Sequence, residues 1–173
     1  MKKDNWILKA FLLTFVIALF FNGISNVLTN KITNLVLLII IDLVFVLIGI
    51  IFDIIGTAAL TADESTFHSM SAKKIKGAKM AVSIIKNNTT FSSVCNDVIG
   101  DICGIVSGSV SAMIGLIISI KFDISSILTI LIISSIISSL TVGGKAIGKK
   151  YAIKNADKII FNLSNLLVIF KRK

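Results

Sequence analysis

The sequence of 173 residues contains no proline, one histidine and two cysteines. Without proline, no helix of this chain carries a proline kink. Cys95 and Cys103 lie eight residues apart inside one apolar segment, a spacing that fits neither a C-x-x-C redox pair nor a disulfide framework, so we expect two reduced interior thiols. His68 lies outside the apolar segments, and we expect a surface or helix-capping role rather than metal ligation. These shortages disfavour a zinc or transition-metal centre.

The signatures of common enzyme classes are also missing. No histidine or other base is placed in an apolar segment to activate a serine there. No G-x-x-x-x-G-K-[ST] loop is present to bind nucleotide phosphates. We therefore do not expect an enzyme.

Charge is scarce as well, at 16% of residues against about 25% in soluble domains, while 55% of residues are hydrophobic. Several apolar runs reach or approach the 18 residues that indicate a membrane span. We predict an all-α polytopic membrane protein forming a single membrane domain. Its four predicted transmembrane helices cover residues 6–28, 32–62, 91–120 and 125–142. A signal peptide is the competing interpretation of the first, but N-G-I-S-N-V-L-T-N lacks a convincing small-x-small cleavage site.

Two segments are hydrophilic and basic. Residues 63–88 begin with A-D-E-S-T-F, which suits a helix N-terminus, and continue as one basic amphipathic helix or as two short helices meeting at Gly77. Such helices lie along anionic membrane surfaces, although a solvated loop helix is the alternative. Residues 143–173 combine a basic juxtamembrane stretch with an apolar run too short for another span, which predicts a C-terminal interfacial helix.

The net charge of +9 is unevenly distributed. With both termini in the cytoplasm, every Lys and Arg except Lys31 and Lys121 falls on the cytoplasmic side. This asymmetry predicts a multi-pass protein of a bacterial inner membrane, with anionic lipid at the basic segments. It leaves no need for nucleic acid as a partner.

Carboxylates interrupt the apolar spans, and an ionisable group in such a segment is by default a functional hypothesis. Asp42 and Asp53 are eleven residues apart, which places them within about 20° of one helix face and about 16 Å apart along the axis. Gly49, Gly56 and Thr57 fall near the same stripe, so this face should point into the bundle. Asp42 could be protonated, bonded to a serine of the fourth span, or part of a permeation route.

The third span adds more oxygen ligands near its cytoplasmic start. Asn96, Asp97 and Asp101 fall in its first turns, and the two carboxylates are i, i+4 neighbours. Together with Asp53 and Thr57 they predict a site for a hard cation such as Mg²⁺, with water completing the shell. Alternatively, these aspartates reach headgroup water or pair with Lys73, Lys145 or Lys149.

Small residues recur every four positions in the third span, at Asn96, Gly100, Gly104, Gly108 and Ala112. Repeated G-x-x-x-G lets helix backbones approach closely in lipid. The contact could lie within one chain or between two copies, and we expect a homodimer.

The order of these parts resembles a known family. Four motifs carry the resemblance: a span ending I-I-G-T-A-A-L-T, a linker with K-G-A-K-M-A-V-S-I-I-K-N-N, then F-S-S-V-C-N-D, and finally G-K-A-I-G-K-K-Y-A-I-K-N-A-D-K-I. In this order they are similar to the transmembrane domain of the cyclin-M/CorC (CorB-like) family. The resemblance covers residues 53–159 and implies a dimer associated with Mg²⁺ and Co²⁺ transport. This chain would be a minimal form, with an extra N-terminal span and without the nucleotide-binding CBS pair.

The chain departs from the family pattern at several positions. Gly144-Lys145 stands where the family has Pro-Lys, and Leu140 and Thr141 replace a Gly-Glu pair, so an acidic residue is missing. The resemblance matches Asn96 to the family's asparagine, and we expect Asp97 and Asp101 to replace the lost carboxylate. The expected function is divalent-cation transport or homeostasis. The rival is a small non-transporting membrane partner that acts through helix–helix contacts.

Overall fold

The computed structural model describes residues 4–31 and 34–171, and this part of the chain is helical with no β-strand. Residues 32 and 33, where the second span was predicted to begin, and the final residues 172 and 173 lie outside the described chain. The helices are α1 (Asp4–Lys31), α2 (Leu35–Thr61), α3 (Glu64–Ala72), α4 (Ala78–Lys86), α5 (Asn88–Ser93), a π-helical segment (Val94–Gly100), α6 (Asp101–Phe122), α7 (Ser126–Lys154) and α8 (Ala156–Lys171). The all-α class predicted from the sequence is thereby confirmed.

Three of the helical stretches are long and apolar enough to cross a membrane. They are Leu35–Thr61, Asn88–Phe122 and Ser126–Lys154. At 1.5 Å per residue each exceeds the roughly 30 Å of a bilayer's hydrocarbon core. These lengths and compositions are those of a membrane protein, and they correspond to the second, third and fourth predicted spans.

The first predicted span, residues 6–28, forms part of the single helix α1. The apolar stretch within it, Ala10–Gly23, is shorter than the other three. Its outward side chains are apolar, among them Phe11, Leu12 and Phe15. Membrane crossing by α1, and with it the count of four spans, stays a prediction.

The membrane bundle is built from α2, α6 and α7, which pack against one another, with α1 against α6. Its core lies between α2 and the third span and consists of Leu38, Phe45, Val98, Ile102, Cys103, Val106, Val110 and Ile114. Burial of apolar groups drives little association in lipid, so close packing must hold these helices together. By contrast, most of α7 faces outward, and only Thr129, Gly148 and Ala152 are buried along it.

The third span is interrupted near its start. Residues 94–100 form a π-helical turn between α5 and α6. In a π turn each amide donates to the carbonyl five residues earlier, so the turn contains more residues than an α-helical turn. Such turns are frequent at functional sites. Both cysteines are reduced and buried, as predicted: Cys95 lies in this turn and Cys103 one turn beyond it.

A smaller helical layer covers one end of the bundle. The chain reverses between α3 and α4 at residues 73–77, where Gly77 has φ of 87°, so the interpretation as two short helices meeting at Gly77 is confirmed. This hairpin packs on α8 and on the end of α2. The shared core comprises Ala58, Ala59, Phe67, Ala81, Ile84, Ile85, Ala152, Ala156 and Ile160.

Two aspartates add polar contacts at the junction between the layer and the end of α2. Asp63 is the N-cap of α3 and accepts hydrogen bonds from the amides and hydroxyls of Ser65 and Thr66. These bonds hold the pKa of Asp63 well below its usual 3.8, at about 2. The Asp63 amide in turn donates to Asp157 Oδ1 at 2.9 Å, which joins the start of α8 to the α2–α3 junction.

The helix of the fourth predicted span does not stop at residue 142. It continues unbroken through the basic stretch to Lys154, and only then does a turn at Asn155 lead into α8. Lysines at residues 145, 149 and 150 therefore extend from the same rigid rod as the apolar span. This geometry places two of those amines beside the carboxylates of the bundle.

Candidate functional site

One face of α2 is small and polar and points into the bundle. Asp42, Gly49, Asp53 and Gly56 are all buried along it, as the eleven-residue spacing of the aspartates predicted. Close approach of the third span explains the glycines, because a Cβ built on Gly49 would lie 3.3 Å from both Cys103 Cβ and Gly100 O. The polar atoms of this face are consequently enclosed by protein rather than by lipid.

Asp53 is the most enclosed carboxylate near the end of the span. Its side chain is 4% exposed, and Oδ1 lies 3.7 Å from Nζ of Lys149, which is 51% exposed. The second oxygen, Oδ2, is buried and has no hydrogen-bond partner among the described residues. A buried acceptor without a partner costs free energy, commonly about 1–3 kcal/mol, so this oxygen is a candidate ligand atom.

A second orphaned oxygen faces Asp53's helix from the π turn. Asn96 Nδ2 donates to Ser92 Oγ at 3.3 Å, which leaves Asn96 Oδ1 buried without a partner. The Asn96 amide occupies the space where a side chain at position 56 would begin, because a Cβ on Gly56 would overlap Asn96 Oδ1. Gly56 lies one helical turn after Asp53, so the two orphaned oxygens belong to neighbouring turns of one interface.

The other predicted ligands are less enclosed. Asp101 is 65% exposed on its side chain and pairs with Lys145 Nζ at 3.3 Å, while the same amine donates to Gly100 O at 3.4 Å. Asp97 is exposed, with no hydrogen bond or ion pair in the described part of the chain. Thr57 is partly buried, and its carbonyl accepts a bond from Thr61 Oγ1. The structure thus places Asn96 against Gly56 of α2 and Asp53 near Asp101, Lys145 and Lys149, while no hydrogen bond or ion pair in the described chain joins Thr57 or Asp97 to these groups.

The carboxylates are compensated by lysines rather than stacked against one another. Within residues 4–31 and 34–171, no group of three or more His, Cys, Asp or Glu side chains is arranged to hold a metal ion. Lys145, Lys149 and Asp101 all lie close enough to act electrostatically on Asp53. Asp101 pairs with Lys145 and Asp53 pairs with Lys149. Pairing with these lysines was the alternative that the sequence left open.

Asp42 lies deeper in the span and is separate from this cluster. It is 0% exposed and accepts one hydrogen bond, from Ser107 Oγ at 2.5 Å; its Oδ2 has no partner in the described chain. A serine of the fourth span was one expected partner, and the serine comes from the third span instead. The reason is that α2 packs directly on α6 at this depth, where Ser107 lies on the buried face.

The glycine stripe of the third span does not stay on one face. Gly100 is buried against α2, whereas a Cβ on Gly104 or Gly108 would meet no atom within 4 Å. Steps of four residues rotate by about 40° each on an α-helix, so the stripe turns outward along α6. Its outer part lines a groove of about 440 Å³ between α6 and α7, with Asp101 and Lys145 at one end and Ser138 and Thr141 along one wall.

From the sequence, Lys145 and Lys149 were only alternative partners of the aspartates, and two other features of the site were not predicted. Lys145 and Lys149 are i, i+4 neighbours in G-K-A-I-G-K-K, so the signal that they share a face was present. Ser92 was not considered, and no sequence pattern indicates the π turn that orients Asn96 towards α2. His68, as expected, has a surface role and bonds Glu64 Oε1 at 3.1 Å with both side chains exposed.

Comparisons of the chain with protein-family models, with curated proteins and with solved structures found no match. The cyclin-M/CorC resemblance therefore rests on the quoted motifs alone.

Proposed function

We propose that the protein is a divalent-cation (Mg²⁺ or Co²⁺) transport or homeostasis protein, with a site between α2 and the π turn whose oxygen ligands suit a hard cation such as Mg²⁺. The observation that carries this proposal is the pair of buried, unpartnered oxygens, Asp53 Oδ2 and Asn96 Oδ1. One carboxylate, one amide and several retained waters form a typical protein environment for Mg²⁺, which gives up its water reluctantly. The cation is the cargo here, not a resident cofactor.

The location of the oxygens also supports a functional site. Asp53 lies in a helix long enough to span a membrane and Asn96 lies in a π-helical turn of another, and such turns are frequent at functional sites. Thr57, which follows Gly56 on α2, and Asp101, which follows the π turn, are the further oxygen ligands of this proposal. Asp97, though exposed in a single copy, lies on the same π turn as Asn96.

Lys145 and Lys149 give the site an internal counter-charge. A divalent cation bound by Asp53 has to compete with the Lys149 amine or displace it, because both seek the same carboxylate. Lys149 is half exposed, so its ammonium retains access to water when it is displaced. The proposed cycle alternates between a lysine-paired and a cation-bound carboxylate.

The remaining parts of the proposal concern the assembly. The chain would cross a bacterial inner membrane four times with both termini in the cytoplasm, and two copies would pair. Outward glycines on α6 and the outward face of α7 support pairing, since small residues allow helices of two copies to approach closely. The same groove supports the second candidate function, a small non-transporting partner that docks a helix of another membrane protein.

The test is cation flux into liposomes that contain the purified protein and a Mg²⁺-sensitive dye. We expect Mg²⁺ entry with the natural sequence and little entry with Asp53→Asn or Asn96→Leu. Asp123→Asn serves as the matched control, because Asp123 is an exposed carboxylate at the opposite end of α6. Equal flux from all four proteins, or none from the natural sequence, would defeat the proposal and leave the partner function.

A further inference from the structure

A cavity of about 410 Å³ lies at the reversal between α3 and α4, away from the cation site. Three lysines line it: Lys74, Lys76 and Lys79. The remaining lining residues are Ile75, Gly77, Met80 and Val168, so the polar part of the wall carries one sign of charge only. In the described part of the chain none of these lysines forms an ion pair.

The turn that presents the lysines is ordered by its own backbone. Lys74 N donates to Ser71 O at 3.0 Å and Ile75 N donates to Met70 O at 3.1 Å. Lys74 has φ of 57°, a conformation that a non-glycine residue adopts at some cost, and Gly77 has φ of 87°. Gly77 packs directly on α8, because a Cβ there would overlap Asn165 Oδ1. The lysines are thus held on a fixed turn against α8.

Apolar side chains also line this cavity, and further exposed apolar side chains lie nearby in the sequence of α8. Ile75 lines the cavity and is 39% exposed, while Leu166 and Ile169, the exposed residues that flank Val168 in the sequence, are 52% and 60% exposed. Lysines beside exposed aliphatic groups are the surface of a protein that lies in the interface of an anionic bilayer. A soluble phosphate or a nucleic acid would use the amines but leave the aliphatic groups in water. The ligand that matches both is an amphiphile.

We propose that the turn at residues 74–79 and the adjoining part of α8 form a binding site for the phosphate of an anionic phospholipid, with its acyl chain along Met80 and Val168. This site differs from a general attraction of the basic surface to acidic lipid. It needs three particular lysines around one cavity, whereas general attraction depends only on the number of charges. It is independent of the cation site between α2 and the π turn.

The experiment measures retention of phosphatidylglycerol by the full chain, titrated in detergent against a phosphatidylcholine background and read by native mass spectrometry. The variant is Lys74→Gln/Lys76→Gln/Lys79→Gln. Its control is Lys86→Gln/Lys150→Gln/Lys154→Gln, which removes the same charge from exposed lysines outside the cavity. Because charge-assisted hydrogen bonds to a phosphate are made only by the lysines around the cavity, the cavity variant should lose affinity by roughly tenfold or more and the control much less.

Two further arms make the result decisive. The Lys→Arg triple variant at 74, 76 and 79 keeps the charge and should retain phosphatidylglycerol, and helix content by circular dichroism checks that each variant folds. Equal losses in cavity and control variants would overturn the site in favour of diffuse attraction. Displacement of the lipid by glycerol phosphate at an equal concentration would also overturn it, because equal affinity would mean that the acyl chain contributes nothing.

Discussion

Lys149→Gln should make the cation site bind Mg²⁺ more tightly. Lys149 Nζ lies 3.7 Å from Asp53 Oδ1, and the amine is the nearest competitor for that carboxylate. Two unit charges at this separation attract by about 1 kcal/mol in water and about 4 kcal/mol at the dielectric of a protein surface. Because Lys149 is half exposed, solvent screens the pair, and the lower figure is the better guide.

Removing about 1 kcal/mol of competition raises the affinity for a cation about fivefold. The same substitution leaves Asp53 buried without its nearest counter-charge, so the variant without divalent cation should be less stable than the natural sequence. Added Mg²⁺ should then restore stability. The rise in melting temperature with Mg²⁺ should be larger, and its midpoint lower, in Lys149→Gln.

The assay is thermal unfolding in detergent across a Mg²⁺ titration, followed by circular dichroism. Lys150→Gln is the matched control, since Lys150 is exposed and forms no ion pair in the described part of the chain. A midpoint in Lys149→Gln equal to or higher than that of the natural sequence would refute the reasoning. Asp53 would then be the acidic half of a structural ion pair.

Three other predictions concern stability. Gly115→Ala should lower the free energy of unfolding by about 1–3 kcal/mol, because the added Cβ would lie 2.8 Å from Ile130 Cα on α7. Gly108→Ala, where the Cβ would face open space, should change the free energy of unfolding in detergent by about 0.5 kcal/mol or less. Equal effects of the two substitutions would contradict the packing of α6 on α7. Ser107→Ala should lower the free energy of unfolding by about 1–3 kcal/mol, because it leaves the buried Asp42 carboxyl without its hydrogen-bond donor. Adding Asp42→Leu should recover part of that loss. A double variant less stable than Ser107→Ala would contradict the role given to this hydrogen bond. The ionised Asp63 cap stabilises the folded state above the ordinary pKa of 3.8, and this stabilisation is lost as the pH falls towards about 2. In Asp63→Asn the melting temperature should therefore depend less on pH between those two values. The same dependence of melting temperature on pH in both proteins would show that the cap contributes nothing.

Periodicity was enough to predict much of the membrane fold. Polar residues eleven apart on α2 identified its buried face, because helix geometry fixes which side chains share a stripe. The A-D-E-S-T-F start of residues 63–88 likewise indicated a helix N-terminus, and two helices meeting at Gly77 was one of the two interpretations of that segment, since both features depend on local chemistry.

Features that depend on contacts between distant segments could not be predicted in this way. The π turn at 94–100 arises where α2 and the third span meet, and no local pattern marks it. The continuation of α7 to Lys154 brought Lys145 and Lys149 to Asp101 and Asp53, although the basic stretch had been read as juxtamembrane. Asp97 and Asp101 were expected as joint ligands with Asp53, but sequence spacing alone does not show which side of α2 they approach.

The most direct measurement of the central claim is isothermal titration of Mg²⁺ into the purified full chain. We predict saturable binding that is lost in Asp53→Asn and retained in Asp123→Asn. Saturable binding that survives Asp53→Asn, or its absence from the natural sequence, would contradict a cation site between α2 and the π turn.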